Sequence, residues 1–273
     1  MQNKLGVMQG RLLPKYQGRY QAFPISSWQN EFKIAKYCDL DLIEFILDFN
    51  DVEDNPLFNN DGINLIKSLK KESGVSVKTI CADYFMEAPL HSDDPSVAKN
   101  SFRVLERLIS AALKLEVTDI VIPCVDQSSL ETKEAENRFV HQVSKIIPII
   151  EKENINLSLE TDLAPKSFVK LLNKLKSDHI TVNYDIGNSA SLGFNSDEEL
   201  DAYGERISDI HIKDRVLNGG PVILGEGNAD FENFFNKLKS FDYKGPFIMQ
   251  AYRDEEGVEI FKKQLSWVKQ FLN

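Results

Sequence analysis

Three segments of the sequence end in residue types that bind cations. Residues 155–160 alternate Ile155, Leu157 and Leu159 with Asn156, Ser158 and Glu160. Residues 180–185 alternate Ile180, Val182 and Tyr184 with Thr181, Asn183 and Asp185, and 207–213 set Ile210 and Ile212 against Asp209, His211 and Lys213. A period of two is that of a β-strand, so each segment has one apolar and one polar face. Taken singly, a strand Asp or Glu is most often solvated and a single His is most often a hydrogen-bonded core residue. Glu160, Asp185 and His211 on three successive strands, all in one phase, are harder to explain that way, because carboxylates packed closely repel unless a cation lies between them. Two carboxylates and an imidazole suit Mn, Zn, Co or Mg rather than a thiolate-preferring metal. One divalent metal ion is therefore the expected cofactor.

Short β-branched stretches alternate with longer helical ones along the whole chain. Strand candidates are 4–9, 41–47, 75–82, 118–123, 155–160, 180–185, 207–213 and 246–251, and helical apolar spacing lies between them, as in Phe102, Leu105, Leu108, Ile109 and Ala112. Eight such units imply an α/β fold, a single (βα)8 TIM barrel occupying 1–273 as one domain. The rule of about 150 residues per domain would give two, but α/β barrels are its standing exception. Pro and Gly fall at element ends: Gly74 and Gly245 precede strands, and Pro95 and Pro165 open helices. A doubly wound sheet would carry a Gly-rich phosphate turn after an early strand, and no GxGxxG or P-loop is present. In a barrel the apolar faces meet the helices and the polar faces point inward, so Glu160, Asp185 and His211 are expected to converge at the C-terminal mouth. Residues 10–28 show neither period, carry Arg11, Lys15 and Arg19, and are expected to form a loop over that mouth.

Composition narrows the function classes. Against 32 Lys and Arg stand 42 Asp and Glu, a net charge of -10, so the average field repels phosphate backbones and anionic membranes. No apolar run approaches the ~20 residues of a membrane span, and the N-terminus lacks a signal-peptide stretch, so a cytoplasmic location is expected. Cys38, Cys81 and Cys124 form no CxxC pair and are read as reduced thiols.

Met8-Gln9-Gly10-Arg11 with Phe23-Pro24 and Trp28, Ile43-Glu44, Leu159-Glu160-Thr161, Tyr184-Asp185-Ile186-Gly187-Asn188, and His211-Ile212-Lys213-Asp214-Arg215 with Gly225-Glu226-Gly227 form a combination spread over nearly the whole chain. In these residues the sequence resembles the sugar phosphate isomerase/epimerase family with the xylose-isomerase-like barrel. The resemblance implies one divalent metal held by a Glu after strand five, an Asp after strand six, a His on strand seven and a Glu on strand eight, with the two Glu residues shuttling a proton beside the sugar carbonyl. The first three fall on Glu160, Asp185 and His211. The fourth falls on Gln250, a departure, because an amide oxygen can bind a hard metal but cannot act as a general base.

The resemblance thus implies a metal-dependent isomerase or epimerase of a sugar or sugar phosphate, with Glu160 as base and Lys213, Glu226 or a water on the metal replacing the missing second proton carrier. Glu44, Asp83 and Lys213 have strand-end positions suited to hydroxyl contacts, although Asp83 could equally brace the following loop. Arg11 and Arg215 lie in mouth loops and could bind a phosphate or carboxylate, though a solvated Arg is the commoner outcome. Asn188, where many family members hold a His, completes the substrate-binding candidates. His91, His141 and His179 are read as structural or surface residues. Two alternatives stay open: a dehydratase of a sugar or cyclitol on the same barrel, and a catalytically idle sugar-binding barrel. A branch of the family that cuts abasic DNA is disfavoured, since it uses more metal-binding His residues and a basic groove. The expected partner is a small sugar or sugar phosphate, with neither nucleic acid nor membrane; assembly into a homo-oligomer stays open.

Overall fold

The β-branched segments become strands that close on one another. A computed structural model describes residues 3–253 and 257–272. Its strands are β1 (Leu5–Met8), β2 (Leu42–Ile46), β3 (Thr79–Cys81), β4 (Asp119–Cys124), β5 (Asn156–Thr161), β6 (Ile180–Asp185), β7 (Ile207–Ile212), β8 (Asp214–Arg215), β9 (Pro221–Val222) and β10 (Phe247–Met249). All but β8 and β9 pair in parallel in the closed order β1-β10-β7-β6-β5-β4-β3-β2. The expected eight-stranded barrel is therefore present.

The helices are α1 (Asn30–Tyr37), α2 (Asn60–Ser73), α3 (Tyr84–Glu87), α4 (Pro95–Leu115), α5 (Lys133–Glu153), α6 (Pro165–Leu175), α7 (Ile186–Leu192), α8 (Ser196–Tyr203), α9 (Phe231–Leu238) and α10 (Val258–Val268). In α4, Asp94 caps the N-terminus by accepting from Ser96 N and Val97 N, Pro95 supplies the first turn, and Glu116 ends the helix in the left-handed region. Leu105, Leu108, Ala112 and Leu115 on one face are fully buried. Losing one of these Leu side chains to Ala would cost about 2–5 kcal/mol.

Register fixes what the lumen sees. Residues paired across parallel strands share a face, and the pairs Ser158 with Thr181, Asp185 with His211 and Ile248 with His211 put the polar phase of β5, β6 and β7 inward. The opposite phase meets the helices: Tyr184 stacks on Phe234 of α9 at 5.0 Å and 12°, and its hydroxyl donates to Glu199 at 2.7 Å.

Two differences from the sequence pattern are local. The third strand covers 79–81 rather than 75–82: before it, Ser76 forms an isolated bridge with Leu42, and Lys78 O is shared by Thr118 N and Asp119 N (2.9 and 3.3 Å). After β7 the chain adds an antiparallel hairpin, β8 with β9, too short to leave a period. Asp214 anchors it by accepting from Gly225 N, Gly227 N and Ala229 N at 2.9–3.1 Å. A Cβ at Gly227 would lie 2.2 Å from Asp214 Oδ1, so the turn admits only glycine there. Among the described residues no helix is long and apolar enough to cross a membrane, and all three cysteines are free and buried.

Candidate active site

The C-terminal ends of β5, β6 and β7 bring Glu160, Asp185 and His211 together, all buried, with one ligand atom of each within 4.8 Å of the others. His211 Nδ1 lies 3.8 Å from Glu160 Oε2 and 4.0 Å from Asp185 Oδ2. These gaps are too long for hydrogen bonds. They fit two ligands of one cation, each bound at about 2.0–2.2 Å. Nδ1 is a buried nitrogen with no hydrogen-bond partner, which fits an imidazole waiting for a cation. Burial pushes Glu160 up to about 7, and the neighbouring Asp185 charge pushes the same way.

The carboxylates are fixed from outside. Asp185 caps α7 by accepting from Asn188 N at 2.8 Å, while Oδ2 takes Lys213 Nζ at 3.3 Å. Asn188 Nδ2 donates to Glu160 Oε1. Arg215 Nη1 in turn donates to Asn188 Oδ1 at 2.8 Å, and Arg215 Nε to Gly219 O at 2.9 Å. This chain of contacts needs α7 close against the 213–215 segment. A Cβ at Gly187 would sit 2.8 Å from Lys213 Cγ and 2.9 Å from its carbonyl carbon, so the glycine of the Asp185-Ile186-Gly187-Asn188 run permits the approach.

The segment 10–28 folds over the other side of the mouth, as its lack of period suggests. Glu31 of α1 holds its start by accepting from Gly10 N at 2.6 Å, and burial pushes that carboxyl up to about 8. Arg11 donates to Tyr20 O (2.9 Å) and Gln21 Oε1 (2.7 Å) and lies over the Tyr20 ring. Gln21 Nε2 donates to Asp83 Oδ2 at 2.6 Å, and Gln250 Nε2 donates to Gln21 Oε1 at 3.1 Å. Gln250 Oε1 is buried and has no hydrogen-bond partner. Arg19 pairs with Asp48 at the rim.

Below the mouth lies a second acidic pair. Glu44 and Asp209 are both 0 % exposed, and Glu44 Oε1 is 2.9 Å from His211 Nε2. Burial pushes Glu44 up to about 8 and Asp209 well above its ordinary range, with the Glu44 charge adding to the latter. At neutral pH the pair therefore retains protons, and a carboxyl O–H can join the two.

A family model described as Xylose isomerase-like TIM barrel matches residues 32–271. The chain belongs to that family. Among its relatives is a putative L-ribulose-5-phosphate 3-epimerase, SgbU, of Haemophilus influenzae, 25% identical over 271 residues and covering 89% of this chain and 91% of the relative. Among solved structures, D-allulose 3-epimerase from Methylomonas sp. in complex with D-allulose aligns with a TM-score of 0.74 at 17% identity, over 98% of this chain and 97% of that one. The 3-keto-D-glucoside 4-epimerase YcjR from E. coli aligns with a TM-score of 0.75 at 17% identity, over 98% and 99%. The named relatives and neighbours are sugar epimerases, so the chain stands with the sugar isomerase/epimerase enzymes.

Within this xylose isomerase-like barrel the sequence-derived candidates separate into those at the mouth and those away from it. Glu160, Asp185, His211, Lys213 and Asn188 form one connected group, and Gln250 joins Arg11 and Asp83 through Gln21. Asp83 does not cap the helix it precedes; its carboxylate braces the mouth loop. Three candidates need correction. Glu44 is not at the strand end but in mid-strand, fully buried, with Oε1 2.9 Å from His211 Nε2. Arg11 is 2 % exposed and committed to Tyr20 and Gln21, so it builds the mouth wall rather than awaiting a phosphate. Glu226 is exposed in the turn clasped by Asp214, and among the described residues nothing brings it to the Glu160 group. Among the other histidines, His91 is buried against Phe139, His179 bonds Asn156, and His141 is exposed on α5. Gln21, Asp48 and Asn183 were not among the candidates. Asn183 shares the inward phase of β6 and was open to discovery on that ground; Gln21 and Asp48 lie in aperiodic segments and carry no such signal.

Proposed function

We propose that the chain catalyses proton transfer at the carbon beside the carbonyl of a ketose or ketose phosphate, inverting that carbon. The observation that carries this is the convergence of Glu160, Asp185 and the unpartnered Nδ1 of His211. These three, with the free amide oxygen of Gln250, would hold one divalent ion. When bound, that ion polarises the carbonyl and adjacent hydroxyl. Glu160 takes the proton from the carbon, and its position near 7 suits a general base at neutral pH. Asn188, itself held by Arg215, keeps the Glu160 carboxylate from turning away. The electron pair left behind is shared with the carbonyl as an enediolate, and Lys213 returns a proton to the carbon. Gln250 contributes no proton; its oxygen accepts from a sugar hydroxyl or joins the ion. Three free, buried cysteines accord with work in the reducing cytoplasm.

Gln250 favours a second reading. Moving a proton between neighbouring carbons on one face needs only one base, so Glu160 alone would support an aldose–ketose isomerisation. Incubating the protein with manganese and a panel of ketoses, ketose phosphates and cyclitols in deuterated water distinguishes these. Deuterium at one carbon with its epimer as product supports the proposal, and a shifted carbonyl supports the isomerase. An ultraviolet-absorbing enone would indicate a dehydratase, and binding without exchange an idle barrel; either overturns the proposal.

A further inference from the structure

His211 has a different company at each ring nitrogen. Nδ1 faces Glu160 and Asp185 without a hydrogen bond. Nε2 faces down the lumen, 2.9 Å from Glu44 Oε1 and 2.8 Å from the Asn183 side-chain amide nitrogen. A neutral imidazole carries one N–H and one lone pair. If the N–H is at Nε2, Glu44 accepts it and the Nδ1 lone pair points to the mouth. If Nε2 instead accepts from Asn183, the N–H moves to Nδ1 and no lone pair is left for a cation.

We propose that Glu44 is a positioning residue that holds the N–H of His211 at Nε2 and thereby keeps Nδ1 available as a cation ligand, with Asn183 the competing partner that holds the other tautomer. This rests on the reading of the mouth as a cation site. Three features of the chain favour it. Glu44 is fixed on β2 in register with Met8, so its carboxyl cannot leave the lumen without unpairing the strand. Glu44 Oε1 at 2.9 Å and Asn183 Nδ2 at 2.8 Å reach the same ring nitrogen, so the two groups compete for Nε2. Asp209, two residues before His211, is fully buried beside Glu44. The same three side chains, Glu44, Asp209 and His211, also offer ligand atoms within 4.8 Å of one another. A cation there would need the Nε2 lone pair, and His211 could not then serve the mouth as a neutral ring. The lower group is therefore a partner of the upper site rather than a second site.

The experiment combines manganese affinity with nitrogen NMR of histidine-labelled protein, metal-free and zinc-loaded. Zinc-loaded wild type should show metal at Nδ1, the N–H at Nε2 and one ion per chain. Glu44→Ala should weaken manganese binding about 10- to 100-fold and move the N–H toward Nδ1 in the metal-free protein. Glu44→Gln, whose amide oxygen can accept the same hydrogen, should recover most of the affinity, whereas Glu44→Asp, too short to reach Nε2, should not. Asn183→Ala should leave affinity unchanged or tighter. Equal affinity in folded wild type, Glu44→Ala and Glu44→Asp would overturn the assignment, as would an N–H at Nδ1 in the loaded wild type or two ions per chain. A wild type that binds no manganese would sink the mouth reading, and the tautomer shift in metal-free Glu44→Ala would still decide the role of Glu44.

Discussion

Asp119 at the floor of the barrel and His211 at its mouth are both buried, 5 % and 0 % exposed, but they keep opposite company. Around Asp119 the polar groups pair with one another. Its Oδ1 accepts from Asn156 at 2.9 Å, Asn156 meets His179 at 3.1 Å, and Ser158, Ser208 and Thr181 form a chain of hydroxyls at 3.1 and 2.7 Å. At the mouth, His211 Nδ1 has no partner at all and looks across nearly 4 Å at two carboxylates. Burying a polar group without a hydrogen bond costs roughly 1–3 kcal/mol. The Asp119 cluster avoids that cost and is structural; His211 Nδ1 bears it, and a bound cation would offset it. Satisfaction, more than burial or residue type, separates the Asp119 cluster from His211 Nδ1.

Variants at the mouth and floor can break this contrast. The largest effect should come from Glu160→Gln, which removes the base and lowers solvent-proton exchange into substrate by about 10² to 10⁴; Asp119→Asn should change the melting temperature but leave exchange per folded protein unaltered. Lys213→Met should lower turnover while the protein keeps its manganese, because Lys213 touches Asp185 without being a ligand. Full turnover in Lys213→Met would transfer the second proton step elsewhere. Gln250→Glu adds a charge beside the cation and should tighten manganese binding without improving turnover. Epimerisation appearing only in that variant would mean the natural chain is an idle relative.

Much of the mouth was legible because the lumen of a barrel preserves the period of two: Glu160, Asp185 and His211 share one phase in three strands, and that phase alone sets their direction. Glu44 was misjudged for a reason the period cannot supply. The stagger of the closed barrel decides how high each inward residue stands, and it places mid-strand Glu44 below His211 rather than beside it. The wall of the mouth was least legible, since Gln21 meets Asp83, Arg11 and Gln250 through contacts between segments far apart in sequence. The hairpin that places Arg215 on Asn188 was hidden by the two-residue length of its strands.

Smaller effects test the supports. Arg215→Ala should lower kcat for free and phosphorylated ketoses alike, since Arg215 holds Asn188 against Glu160; a KM increase confined to the phosphorylated substrate, worth about ten- to a hundredfold, would make it a phosphate ligand instead. The pH dependence follows from the carboxyls. Glu160, raised to about 7, and Glu44 and Glu31, raised to about 8, hold protons in the folded metal-free chain that the unfolded chain releases near 4.5. Their stabilising contribution is complete below about pH 4.5 and is lost as the pH rises through 7 and 8. Thermal melts of metal-free protein should fall in midpoint between pH 5.5 and 8.5. Glu160→Gln should remove the part of that fall that this carboxyl contributes below about pH 7.

Counting bound manganese at pH 8 in wild type, Asp119→Asn and His211→Ala tests the contrast between mouth and floor most directly. Close to one ion per chain in the first two and almost none in the third is the predicted result, whereas equal manganese in wild type and His211→Ala would contradict it.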